Sequence, residues 1–272
     1  MKSISIKALA PLTACALLLA SALSAAASDQ SHALYAEVLK AYVHDGRVDY
    51  GALSRKPEDL DLYLKTLAAV PRGEFKSWPT SDQLAFLLNL YNAATLRLIV
   101  SHYPIKSIKD IGHLWQSPWD LPVVHLFGKT ITLNDVEHGI IRKDYAEPRV
   151  HMALVCASKG CPPLRDEPYV GARLNAQLDD QARAFLRNPD KFRIDRKAGV
   201  VYLSSIFKWY GQDFIPRYLP ASGFGLGSAK ERASLHFIGD YLSAADRDYL
   251  AKGRYRVDYL DYDWSLNERG SR

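Results

Sequence analysis

Cys156 and Cys161 stand five residues apart in the segment Val155-Cys156-Ala157-Ser158-Lys159-Gly160-Cys161-Pro162-Pro163. A thiolate is both a nucleophile and a metal ligand, and two neighbouring thiols are also a latent disulfide. Several chemistries are therefore open. As a disulfide, the pair would staple a small loop in an oxidising compartment. As thiols, one sulfur would attack an acyl carbon with a histidine as base, as in cysteine hydrolases and acyltransferases. As ligands, His151, Cys156 and Cys161 offer three donors at H-x4-C-x4-C spacing, but the compact cysteine pairs of zinc modules are absent, so neither a metal nor a cofactor is expected. As a redox pair they lack the C-x-x-C spacing of exchange enzymes. The segment also reads C-x-S-x-G, but Pro162 and Pro163 prevent a helix from following directly, which argues against Ser158 as a nucleophile.

Proton-transfer partners are present in sequence. His138, preceded by Glu137, and His151 carry the side chain whose ordinary pKa lies near neutrality. Asp263 is a candidate to orient an imidazole as the third member of a triad, or else to cap a turn. Asn89 and Asn92 share one face of a helix that ought to be buried, so both amides need partners. Their role is either to lock loop backbone or, for Asn92, to orient a catalytic imidazole and, for Asn89, to touch substrate. Trp209, Tyr210, Tyr262 and Trp264 could line a groove for a sugar or peptide, or simply fill core.

The elements that position these residues follow from periodicity. Residues 31–43 and 58–69 have apolar positions at helical spacing, with Pro57 where the second helix begins. Thr80 with Gln83 resembles a capping box ahead of the apolar run Leu84 to Val100, which predicts a buried helix over about 81–101. A hairpin is expected from Val123–Phe127 and Thr130–Leu133 through Gly128-Lys129, then a short helix opened by Asn134. Arg149 to Cys156 reads as a strand, in which His151 and Cys156 would point to opposite faces. A helix over about 172–187, a hairpin around Lys197-Ala198-Gly199, an aromatic turn at Ile206 to Phe214, a helix near 229–242 and a strand near 254–262 complete the chain. Gly223, Gly225 and Gly227 read as a flexible surface loop. The alternation predicts an α+β fold, with helices packed on a small, mostly antiparallel sheet.

The 272 residues, 48% hydrophobic, suffice for a substantial core. A net charge of +5 without a long basic run argues against nucleic acid as a partner. Lys2 and Lys7 before the apolar stretch Ala8 to Leu23, followed by Ala25-Ala26-Ala27, read as a bacterial Sec-type signal peptide over 1–27. Pro11 interrupts that stretch, which argues against a retained anchor, and no membrane span is expected after cleavage. The expectation is a periplasmic or secreted protein with a helical segment over 28–80, a main domain over 81–268 and a tail over 269–272. Its partner would be a peptide, a glycan or an envelope protein. Cleavage removes Cys15 and leaves one cysteine pair.

Five motifs carry a family resemblance: Phe86 to Asn92, Glu137-His138-Gly139, Arg149-Val150-His151 through Leu164, Phe207-Lys208-Trp209-Tyr210 with Asp213-Phe214, and Tyr262 to Asn267. In this order they resemble the domain of unknown function 547 family over roughly residues 80–268. Leu87 departs from the family, which often has tryptophan there. The resemblance implies a domain of helices and short strands and names no activity. A weaker likeness to papain- or transglutaminase-type thiol hydrolases would require a permuted fold, because His138 and His151 precede the cysteines and Asp263 comes last. Three functions stay open: an exported thiol hydrolase or acyltransferase acting on a peptide-like or other acyl substrate, a non-catalytic envelope-binding module stapled by Cys156 and Cys161, and, against the spacing, a thiol redox or metal-binding protein.

Overall fold

The run Leu84 to Val100 presents apolar side chains all round, so it can be satisfied only by burial. It forms the centre of the helix Thr80–His102, in a computed structural model that describes residues 28–112 and 115–270. The expected leader lies outside the described residues. The central helix is long and apolar enough to cross a membrane, but 89% of its apolar window is covered by the protein itself. Helices Tyr50–Arg55 and Glu58–Ala69 pack against it, and Ala33–Tyr42 packs on those two. The start of the central helix differs from the expected capping box: Pro79 is the cap and makes no side-chain hydrogen bond to the first turn. Gln83 instead donates to the Trp78 carbonyl and accepts from the Tyr145 hydroxyl, tying two loops to the helix.

The class is α+β, with helices predominating over three small sheets among the described residues. Strands Pro122–Leu126 and Lys129–Thr132 form an antiparallel hairpin. Its turn falls on Phe127 and Gly128, whose φ values of 52° and 74° supply the two left-handed conformations a tight hairpin needs. The expected turn was one residue later. The largest sheet joins Phe192–Asp195 antiparallel to Val200–Ser204, which pairs parallel with Arg256–Leu260. The glycine-rich loop is not loose: Phe224, 7% exposed, plugs the second core between Gly223 and Gly225, which both have positive φ.

Arg149 to Cys156 is not a strand. Pro148 opens a 3-10 helix, Pro148–Met152, whose first turn is capped by the Glu147 side chain accepting from the Arg149 N–H. Proline tolerates a first helical position because its missing N–H would have had no partner there. The Arg149 guanidinium, 6% exposed, then anchors the turn between Glu147 and Asp179. The opposite-face constraint on His151 and Cys156 disappears with the strand.

The described residues form two hydrophobic cores. One surrounds the central helix; the other joins the largest sheet to helices Leu174–Arg187, Ala229–Gly239 and Ala244–Lys252. Val150 belongs to the first core and Met152 to the second, so the 3-10 helix crosses the seam, and Tyr262 packs against both.

Candidate functional site

A cavity of about 270 Å³ opens at this seam, and Cys156, Cys161, His151 and Glu137 all line it. The cysteine turn is held from three directions. Asn92 on the central helix donates to the Ala153 carbonyl at 3.0 Å and accepts from the Val155 N–H at 2.9 Å, replacing the partner strand that this stretch lacks. The C-terminal segment is laced to the turn by Lys159 N–H to Ser265 O, Gly160 N–H to Asp263 O and Asn267 N–H to Ala157 O. Lys191 donates to the Lys159 carbonyl. Burial holds its ammonium down to about 8. Ala157, inside the turn, has φ 58°, a conformation that costs a non-glycine residue free energy unless its surroundings impose it. Gly160 is required sterically, since a Cβ there would lie 2.6 Å from the Tyr262 ring.

Cys156 and Cys161 are disulfide-bonded, with Cα atoms 6.1 Å apart. Cys161 is buried and Cys156 half-buried, which makes Cys156 the sulfur more accessible from the cavity. The Tyr262 hydroxyl lies 3.1 Å from each sulfur and 3.2 Å from the Ser158 hydroxyl. Burial pushes the Tyr262 phenol up, so it stays a protonated donor beside the sulfurs.

His151, 4% exposed, stacks on Tyr210 with ring centroids 4.2 Å apart. Its Nε2 is 2.8 Å from Asp213 Oδ2. Arg142 donates to both Asp213 oxygens, at 2.6 and 2.9 Å. Burial would raise the Asp213 carboxyl, but the bonds from His151 and Arg142 outweigh it and hold this group well below the usual carboxylate range. The orienting acid is therefore Asp213 and not Asp263. Asp263 is exposed and accepts from the N–H and hydroxyl of Ser265, as a turn cap. Asp213 was missed as an acid partner because it is 62 residues from His151 and is exposed by no local pattern; its one signal was its place beside Phe214 in a family motif.

The adjacent residues Glu137 and His138 part company on the π-helix Asp135–Ile141. Glu137, 6% exposed, turns inward, where its carboxylate stands beside the Tyr91 and Tyr210 phenols. Burial and that carboxylate push both phenols up and keep them as donors. His138 is exposed, and its Nδ1 is 2.8 Å from an Arg142 nitrogen, so it supports Arg142 from outside the cavity. Asn89 also lies away from it, exchanging two hydrogen bonds with the backbone of Tyr169. Both asparagines are thus backbone clamps. Trp209, Tyr210, Tyr262 and Trp264 do line the cavity, joined by Trp119 and Tyr91, which sequence reading did not single out. Among the described residues no group of three or more His, Cys, Asp or Glu side chains is arranged to hold a metal; His151 turns its Nε2 to Asp213.

Residues 75–186 match a family model described as "Protein of unknown function, DUF547". The match supports the resemblance drawn from the motifs and includes Glu137, His151 and both cysteines; Asp213 and the Tyr262–Asn267 motif lie beyond it. No curated protein and no solved structure matches the chain.

Proposed function

We propose that the protein is a thiol-dependent acyl-transfer enzyme, a hydrolase or acyltransferase, with Cys156 as nucleophile once the pair is reduced. The observation that carries this reading is the convergence on one cavity of a cysteine sulfur, a histidine bonded to a half-buried carboxylate, and a phenol within hydrogen-bond distance of the sulfur. A concave apolar site with a few convergent polar groups is the usual form of a catalytic pocket. The chain order His151, Cys156, Asp213 would make this a permuted arrangement relative to papain.

In this reading an external dithiol first exchanges with the Cys156–Cys161 bond, becoming oxidised while both cysteines become thiols. Asp213 accepts from the Nε2–H of His151 and so fixes the tautomer whose Nδ1 lone pair is free to take the Cys156 proton. The thiolate attacks the acyl carbon. Tyr262 is the candidate donor to the developing oxyanion. The imidazolium then gives its proton to the leaving group as the carbon–leaving-group bond breaks, and water or another acceptor resolves the thioester.

A second reading is favoured by the bond between the sulfurs: a ligand-binding module in which the pair is a permanent staple. The leader-like N-terminus supports an oxidising compartment for either function. Alkylation separates the two. In protein reduced under native conditions, Cys156 should react with iodoacetamide at least tenfold faster than Cys161, and faster at pH 6 than a model thiol. If neither cysteine becomes reactive without unfolding, the staple reading stands and the thiol reading falls.

A further inference from the structure

We infer that the cavity is an ammonium site: the substrate carries a cationic amine, which Glu137 and a cage of aromatic rings recognise. Trp119, Trp209, Trp264, Tyr210 and Tyr262 all line the cavity. Trp209 stacks on Trp264 with centroids 5.9 Å apart and meets Tyr262 at 4.9 Å, while Trp119 meets Trp264 edge-on at 5.9 Å. The rings therefore form one continuous wall. The negative face of such rings attracts cations, most strongly where water is excluded. Trp264 already holds one, because the Lys109 ammonium sits 3.7 Å from its centroid.

The charge of the lining selects the ligand class. Among the described residues, Glu137 is the one acidic side chain that lines the cavity, and no lysine or arginine does. A carboxylate offers about four lone-pair positions, more than the single hydroxyl protons of Tyr91 and Tyr210 beside it could fill, which leaves room for a ligand donor. Arg142, whose guanidinium feels the Glu137 charge, lies outside the cavity lining, so within the cavity a ligand ammonium is the complementary occupant of this buried carboxylate. At about 270 Å³ the cavity is at the small end for ligand sites, so it suits a single amine-bearing side chain or small molecule rather than a long polymer segment. That the ammonium belongs to the acyl substrate rests on the thiol reading; the ammonium site itself does not.

Tryptophan fluorescence of the oxidised protein, titrated at fixed ionic strength, tests this with n-butylammonium, n-butanol, butyrate and N-acetylglucosamine. Butylammonium should bind at least tenfold more tightly than any of the others, and Glu137→Gln should weaken it at least tenfold. Trp209→Leu removes an exposed ring, 47% accessible, and so keeps the fold intact while weakening the amine several-fold; it carries the test if Glu137→Gln fails to fold. Equal or tighter binding of butanol, butyrate or the sugar, or no amine binding at all, overturns the proposal. Amine binding should persist in Cys156→Ser. Binding there, in a protein whose wild type forms no acyl-enzyme, would remove the thiol reading and leave the ammonium site; an acyl-enzyme without amine preference would do the reverse.

Discussion

The Asp213 carboxylate connects three residues from separate parts of the chain: it bonds the His151 imidazole and is gripped by Arg142, which also meets His138. An acid in this position fixes which ring nitrogen carries the proton. Asp213→Asn keeps the shape but can present an N–H to Nε2, reversing the tautomer. The account predicts a fall on the order of 10²–10⁴-fold in the acylation rate of reduced protein, by analogy with other triads, with near-unchanged circular dichroism. A change under threefold would show that His151 is not the base. At this scale much of the site was legible. Cys156, His151 and Glu137 were identifiable because few other residue types can do their chemistry, whereas Asp213 was not, because an aspartate acquires its role only from a long-range contact. Asp263 drew attention for its aromatic neighbours, yet Ser265 satisfies it locally.

Elements explain why the cavity has its shape. The apolar stretch Val150 to Val155 imitates a strand in sequence, but Pro148 and the Arg149 ion pairs fold its first half into a 3-10 turn. The second half finds its backbone partners on an amide side chain instead of a neighbouring strand. Asn92→Leu would leave the buried Ala153 carbonyl and Val155 N–H unpaired. A penalty of about 1–3 kcal/mol for each of these two groups predicts a loss of roughly 2–6 kcal/mol, measurable by urea unfolding at pH 7. A loss below about 0.5 kcal/mol would mean that Asn92 does not hold the turn. Periodicity located the central helix, the hairpins and the closing strand because those elements bury regular faces. It could not foresee that the π-helical turn at Asp135–Ile141 would send Glu137 inward and His138 outward, since that depends on a local hydrogen-bond register.

For the whole molecule, the α+β class was readable from alternating helical and strand-like patterns, while the seam between two cores was not, because it is a property of tertiary packing alone. Stability should carry a pH signature from the first core. Burial lowers His32, 2% exposed, to about 4 from an ordinary 6.5, and its Nδ1 lies 2.8 Å from the Tyr63 hydroxyl. The unfolded chain takes up this proton near pH 6.5, whereas the folded one resists until about pH 4. The contribution is thus fully present above pH 6.5 and is lost as pH falls toward 4, amounting to about 3 kcal/mol at most. Urea unfolding should show a shallower pH dependence between pH 7 and 4.5 for His32→Gln than for the natural chain; identical slopes would exclude His32 as the source.

The central claim is that Cys156 forms a covalent acyl intermediate, and intact mass spectrometry with peptide mapping tests it most directly. Protein reduced under native conditions and mixed with an amine-bearing activated ester, such as lysine p-nitrophenyl ester, should gain one acyl group on Cys156. Oxidised protein and Cys156→Ser should gain none. Absence of an adduct on reduced protein, or acylation scattered over surface lysines equally in all three samples, would contradict the account.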